Sequence, residues 1–110
     1  MAIPVLRGTL DVLVLKALSW RPMHGLEITD WLEHSGDGTL ELLDSALYQA
    51  LYRLEERRLV TAEWGVSASN RRARYYQLTA AGRAHLKTET TNWLRYASAV
   101  TGILTATRPA

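Results

Sequence analysis

Two stretches of strict alternation interrupt an otherwise helical pattern and constrain the fold most. Val60, Ala62 and Trp64 alternate with Thr61 and Glu63, while Arg74, Tyr76 and Leu78 alternate with Tyr75 and Gln77. A period of two marks a half-buried strand. Between them, Gly65 to Ala73 (GVSASNRRA) is polar and too long for a tight hairpin turn. The two segments are therefore expected as a β-hairpin with a flexible, basic end.

Three helical segments precede the hairpin. Thr9 to Leu18 repeats apolar residues at Leu10, Leu13, Val14, Ala17 and Leu18, the helical spacing. Val12 and Leu15 widen the apolar surface to a second side, which predicts one side against the chain's own core and one against a partner. The Val-rich run also suits a short buried strand. Pro22 breaks the pattern, and a second helix is expected from about His24 to Glu33, before the breaker cluster Ser35 to Gly38. A third is expected from Ser45 to about Arg57, with Asp44 as its N-cap. Its core stripe is Leu47, Ala50, Leu51 and Leu54; Ser45, Gln49, Tyr52, Arg53 and Glu56 face the other way, with Tyr48 at the margin. After the hairpin, Thr79 can cap a last helix running to about Ala106. Along it, Leu86, Thr90, Trp93, Ala97, Val100 and Leu104 form a heptad seam, flanked by Leu94 and Ile103.

The chain has 110 residues, enough for one folding unit, and a chain so short commonly gains stability by associating. It lacks Cys, which excludes disulfides and thiolate metal sites. Four Trp, five Tyr and no Phe mean that every aromatic side chain carries a polar handle suited to a core edge or interface. No membrane segment is expected, because Arg7, Asp11 and Lys16 break the apolar N-terminal stretch. A cytoplasmic location is expected. Net charge is only +2, so its distribution carries more weight than its sum. Arg53, Arg57, Arg58, Arg71, Arg72 and Arg74 face only Glu55, Glu56 and Glu63 in the same stretch, a local positive patch of the kind that meets nucleic acid.

Three short helices followed by a two-stranded wing is the winged helix-turn-helix order, an α+β, mainly α, fold with a long C-terminal dimerisation helix. In that geometry the third helix enters the major groove and the wing reaches the backbone or minor groove. Ser45, Tyr48, Gln49, Tyr52 and Arg53 are the candidate contacts of the third helix, since amide and guanidinium groups bond base edges and phosphates. Arg71, Arg72 and Arg74 repel one another unless a polyanion neutralises them, and are the candidate wing contacts. His24, His34 and His85 have no metal-ligand spacing, and the acids show no catalytic pairing. Neither an enzyme nor a metal or other cofactor is expected.

Four segments carry a family resemblance: Arg7–Leu18 (RGTLDVLVLKAL), Met23–Ile28 (MHGLEI), Ala46–Val60 (ALYQALYRLEERRLV) and Arg71–Leu86 (RRARYYQLTAAGRAHL). Together they resemble the PadR family of bacterial transcription regulators over residues 7 to 86. The single C-terminal helix is similar to that of the small subfamily containing multidrug-sensing repressors. The resemblance implies a homodimeric repressor on a dyad-symmetric operator, sometimes released by an aromatic or other small ligand. It assigns Tyr48 to the family's recognition-helix Tyr, Tyr75–Tyr76 and Thr79 to its strand-to-helix motif, and Trp93 to the dimer seam. The chain departs from the pattern at Leu26, Gln49 and Arg58, where the family usually has Tyr, Pro and Gly. The family pattern implies a left-handed residue at position 58, so Arg58 is expected either to adopt that conformation at some strain or to end the helix differently.

The expectation is a DNA-binding unit over residues 1–79 and a dimerisation helix over 80–110. Self-association is assigned to Val12, Leu15, Leu86, Trp93, Ala97, Val100 and Leu104. Trp93 and the small Ala97 are the candidate walls of an effector pocket, although dimer-core packing is the simpler role for the indole. The expected partners are double-stranded DNA, a second copy of the chain and a small effector. The alternative is a winged-helix protein-interaction module that never meets DNA.

Overall fold

In the computed structural model, which describes residues 2–6 and 8–109, a short strand β1 (Ile3–Pro4) leads into helix α1 (Thr9–Leu18). Gly8, at φ +87°, makes the left-handed entry to α1, where a side chain would be strained. Val14, Leu15 and Leu18 are buried in the chain's own core. Thr9, Val12, Leu13 and Lys16 form the outer face instead, at i, i+3, i+4 and i+7. Leu15 is thus not on the second apolar side as expected: it lies one residue after Val14 and three before Leu18, inside the inward arc. Leu13 takes its place beside Val12.

Helix α2 (Gly25–Ser35) starts one residue later than its pattern suggests, because His24 caps it. The Glu27 N–H donates to His24 Nδ1 at 3.3 Å, and the His24 N–H donates to Glu27 Oε1 at 3.1 Å, a reciprocal capping box. Arg21 adds a 3.0 Å ion pair to the other Glu27 oxygen. Strand β2 (Leu40–Glu41) then pairs in parallel with β1, in the register Ile3 to Leu40 and Pro4 to Glu41.

Helix α3 (Asp44–Glu56) has Leu43, not Asp44, at its N-cap, and no side chain caps it. Asp44 is instead the first helical residue, where its charge favours the positive end of the helix dipole. Leu47, Ala50, Leu51 and Leu54 turn inward against Val14, Leu15, Leu18, Ile28 and Leu32. The helix ends in a Schellman motif, with Leu59 N–H on the Leu54 carbonyl and Arg58 N–H on the Glu55 carbonyl, each at 3.0 Å. Arg58 adopts φ +58°, the left-handed geometry that its position requires.

The wing is β3 (Val60–Val66) and β4 (Arg72–Leu78), antiparallel from Val60 opposite Leu78 to Val66 opposite Arg72. Pairing runs further than alternation alone suggests, so the tip is only residues 67 to 71 and not the whole of Gly65 to Ala73. The tip is closed by Ser67 N–H on the Arg71 carbonyl at 2.8 Å and Asn70 N–H on the Ser67 carbonyl at 2.9 Å. Met23 and Tyr76 exchange backbone hydrogen bonds of 3.0 and 2.8 Å, which moors the wing to the turn before α2.

Helix α4 (Ala80–Leu104) begins where Thr79 Oγ1 accepts the Gly82 N–H at 3.0 Å and donates to the Arg58 carbonyl at 2.8 Å. Gly82 is required here: a Cβ would lie 2.0 Å from the Leu59 carbonyl oxygen. Leu86 still packs against the core, Thr90, Trp93 and Leu94 border an open groove, and the rest of the helix extends past it. Trp93, Leu94, Tyr96, Ile103 and Leu104 are all exposed. The chain is accordingly elongated, 59 × 33 × 21 Å.

Candidate nucleic-acid interface

The outward face of α3 carries Ser45, Tyr48, Gln49, Tyr52 and Arg53, and all five side chains are exposed. Tyr48, Gln49, Tyr52 and Arg53 line one shallow groove along the helix. Their orientation follows from the inward stripe at Leu47, Ala50, Leu51 and Leu54, which fixes the helix's rotation about its axis.

Arg53 is not free on this face. Its Nη2 and Nε donate to Asp11 Oδ1 and Oδ2 of α1 at 2.6 and 3.3 Å. The Asp11 hydrogen bond raises the guanidinium's proton affinity further above its ordinary value. The two-pronged geometry holds the side chain across the α1–α3 contact.

The three wing arginines do not share the tip. Arg71 lies in the tip loop, whereas Arg72 and Arg74 belong to β4. Arg74 pairs with Glu55 of α3 at 2.8 Å and lies 5.6 Å over the Tyr76 ring, so it ties the wing to the third helix. Arg72 lies 4.5 Å over the ring of Trp64. Among the described residues, neither Arg71 nor Arg72 has a salt-bridge partner.

Gly25 and Trp64 join this region without having been singled out as site residues. A Cβ on Gly25 would meet Tyr48 Oη at 2.6 Å and Cζ at 3.0 Å, so the bare start of α2 is what lets the phenol lie against it. Nothing in sequence spacing reveals that approach. Trp64 has the inward parity of Val60 and Ala62, but the hairpin outruns the core and leaves it 61% exposed. Its signal was the company it keeps: Arg74 stands directly opposite and Arg72 diagonally so.

A second surface lies away from this face. The chain from Ile3 to Leu6, the outer face of α1 and the Leu86–Leu94 part of α4 enclose an open apolar groove of about 500 Å³. Val12, Leu86 and Trp93 of the expected association set line it. Ala97, Val100 and Leu104 lie further along α4, and Leu15 is not part of it. Among the described residues no His, Asp and Glu side chains cluster as a metal site. Among the described residues no helix is long and apolar enough to cross a membrane.

A helical core that presents its third helix beside a basic two-stranded wing defines the winged helix-turn-helix class of DNA-binding proteins. The Transcriptional regulator PadR-like family matches residues 14–88, and the chain belongs to that family. Solved relatives share the whole architecture. The chain is similar to smu.1704 from Streptococcus mutans UA159, at 25% identity and a TM-score of 0.84, covering 100% of this chain and 99% of that one. It is also similar to a PadR family transcriptional regulator from Eggerthella lenta DSM 2243, at 29% identity and a TM-score of 0.75 over 91% and 85% of the two chains. A PadR-like transcriptional regulator from Bacillus cereus has the same fold at 22% identity, with a TM-score of 0.78 over 92% and 96%. The family consists of transcriptional regulators, not enzymes.

Proposed function

We propose that the protein is a cytoplasmic, homodimeric transcriptional repressor that reads a dyad-symmetric operator with one α3 and one wing per half-site. The observation that carries this reading is the exposed, polar and aromatic face of α3 beside a wing whose Arg71 and Arg72 lack acidic partners among the described residues. Ser45, Tyr48 and Gln49 would read base edges, with Tyr52 at the margin and Arg71 and Arg72 on phosphates. Arg53 and Arg74 join the contacts only by exchanging Asp11 and Glu55 for DNA.

Dimer formation would cover the apolar groove and the exposed seam of α4 with the same surfaces of a second copy. Trp93→Asp should then sediment as a monomer; an unchanged dimer would place the interface elsewhere. Hydroxyl-radical footprinting of bound operator should show two equivalent patches with centres about 10 base pairs apart. A single asymmetric patch would overturn the two-fold reading.

Release by a flat apolar effector beside Trp93 and Ala97 completes the proposal. Support comes from the indole's 42% exposure, which leaves a broad apolar ring face available beside the small Ala97 where two copies would meet. Planar apolar compounds should quench tryptophan fluorescence and lower operator affinity. No response from any of them would remove the effector and leave the DNA reading intact.

A further inference from the structure

The wing and the start of α2 enclose a cleft of about 640 Å³ that the contacts of α3 leave unused. Its wall is the inner face of the wing, where Trp64 follows Val60 and Ala62 in parity but lies beyond the core. The Arg72 guanidinium is stacked 4.5 Å from the Trp64 ring centroid. Tyr48 of α3 borders the same cleft, so the cleft adjoins the groove of the third helix.

We propose that this cleft seats a sugar–phosphate strand of bound DNA, with Trp64 as the surface under the sugar and Arg72 as the phosphate clamp. The proposal rests on the DNA-binding reading and extends it to a residue outside the expected contact set.

The chemistry follows from the stack. A guanidinium held over an indole face can still turn N–H groups toward solvent, and its planar fork fits two phosphate oxygens at once. The ring also restricts the arginine before the phosphate arrives, so less freedom is lost on binding. The uncovered remainder of the indole offers an apolar face to the deoxyribose. Charge selects the occupant. Arg74 is neutralised by Glu55, whereas Arg71 and Arg72 add positive charge with no paired carboxylate among the described residues. On the α2 side, Glu27 is engaged by the His24 N–H and by Arg21.

Anisotropy of the full chain with a fluorescein-labelled duplex of mixed sequence, at low and moderate salt, tests this. Trp64→Ala should weaken binding by about tenfold, the scale of losing an apolar contact of some tens of Å² together with the surface that holds Arg72. Trp64→Phe, which keeps a ring, should recover most of it. Arg72→Ala should cost several-fold in the wild-type background and little in the Trp64→Ala background. Arg72→Lys keeps the charge without the planar fork, so it should bind at least threefold more weakly with the salt slope retained. Wild-type affinity for Trp64→Ala, or equal cost of Arg72→Ala in both backgrounds, would overturn the proposal while DNA binding stands. A wild-type chain that binds no duplex at any salt would overturn the DNA reading itself.

Discussion

Replacing Arg58 with glycine should make the protein more stable. The residue sits at the end of α3 with φ +58°, and two 3.0 Å backbone hydrogen bonds hold it there. A residue with a Cβ loses about 1–2 kcal/mol in the left-handed region relative to glycine. Glycine in turn loses more conformational freedom on folding, roughly 0.5–1 kcal/mol. At the middle of both ranges the difference favours glycine by about 0.75 kcal/mol. Arg58 is exposed and its side chain makes no salt bridge among the described residues, so little is lost with it. Its carbonyl still accepts the Thr79 hydroxyl in the variant. For a chain of this length the gain corresponds to a melting temperature higher by about 2–6 °C. Thermal melting by circular dichroism at one fixed protomer concentration would measure it. Arg58→Ala is the control, since it removes the same side chain but keeps the Cβ. The reasoning fails if Arg58→Gly melts at or below the wild type, or if Arg58→Ala gains as much.

Gly25→Ala should displace the Tyr48 ring, because the new methyl would lie 2.6 Å from Oη. Operator affinity should fall by about tenfold or less. Tyr48→Phe removes the closest atom, and in that background the same alanine should cost less; equal costs would refute the steric link. Asp11→Asn should release Arg53 toward bound DNA. Exposed pairs contribute only about 0–1 kcal/mol, so the melt should change little while the salt dependence of DNA binding steepens. An unchanged slope would leave Arg53 with a structural role alone. Burial works to raise the Glu27 carboxyl, but the His24 N–H and Arg21 outweigh it and hold the group below the ordinary glutamate range. A depressed folded-state value contributes stability above the unfolded pKa of about 4.3 and loses it as acid protonates the folded group. Glu27→Gln should therefore flatten the acid limb of stability below that pH, and an unaltered limb would contradict the assignment.

The sequence disclosed those features whose cause is local. The bounds of α1, the cap at Thr79 and the stripe of α3 follow from spacing and chain chemistry within a few residues. The left-handed conformation at position 58 was suggested only by the family resemblance, which places a Gly there. Features set by distant contacts were not legible. The two-residue strands β1 and β2 have no period to read, and pair only because the fold brings Ile3 beside Leu40. Leu15 faces its own core because α2 and α3 pack on that side of α1, which apolarity alone does not distinguish from the side of Val12 and Leu13. The arginine cluster at positions 71 to 74 reads as a unit, yet strand pairing divides it among tip, indole stack and ion pair. Arg53 was legible as an outward residue of α3, but its partner Asp11 lies 42 positions away.

The central claim is sequence-specific DNA recognition by a two-fold assembly. Selection of bound duplexes from a randomised pool, at salt high enough to suppress backbone-only binding, tests it most directly. The account predicts convergence on an inverted repeat with half-site centres about 10 base pairs apart, lost when Gln49 and Tyr48 are both replaced by alanine. A recovered pool indistinguishable from the input, from protein that folds and binds DNA, would contradict it.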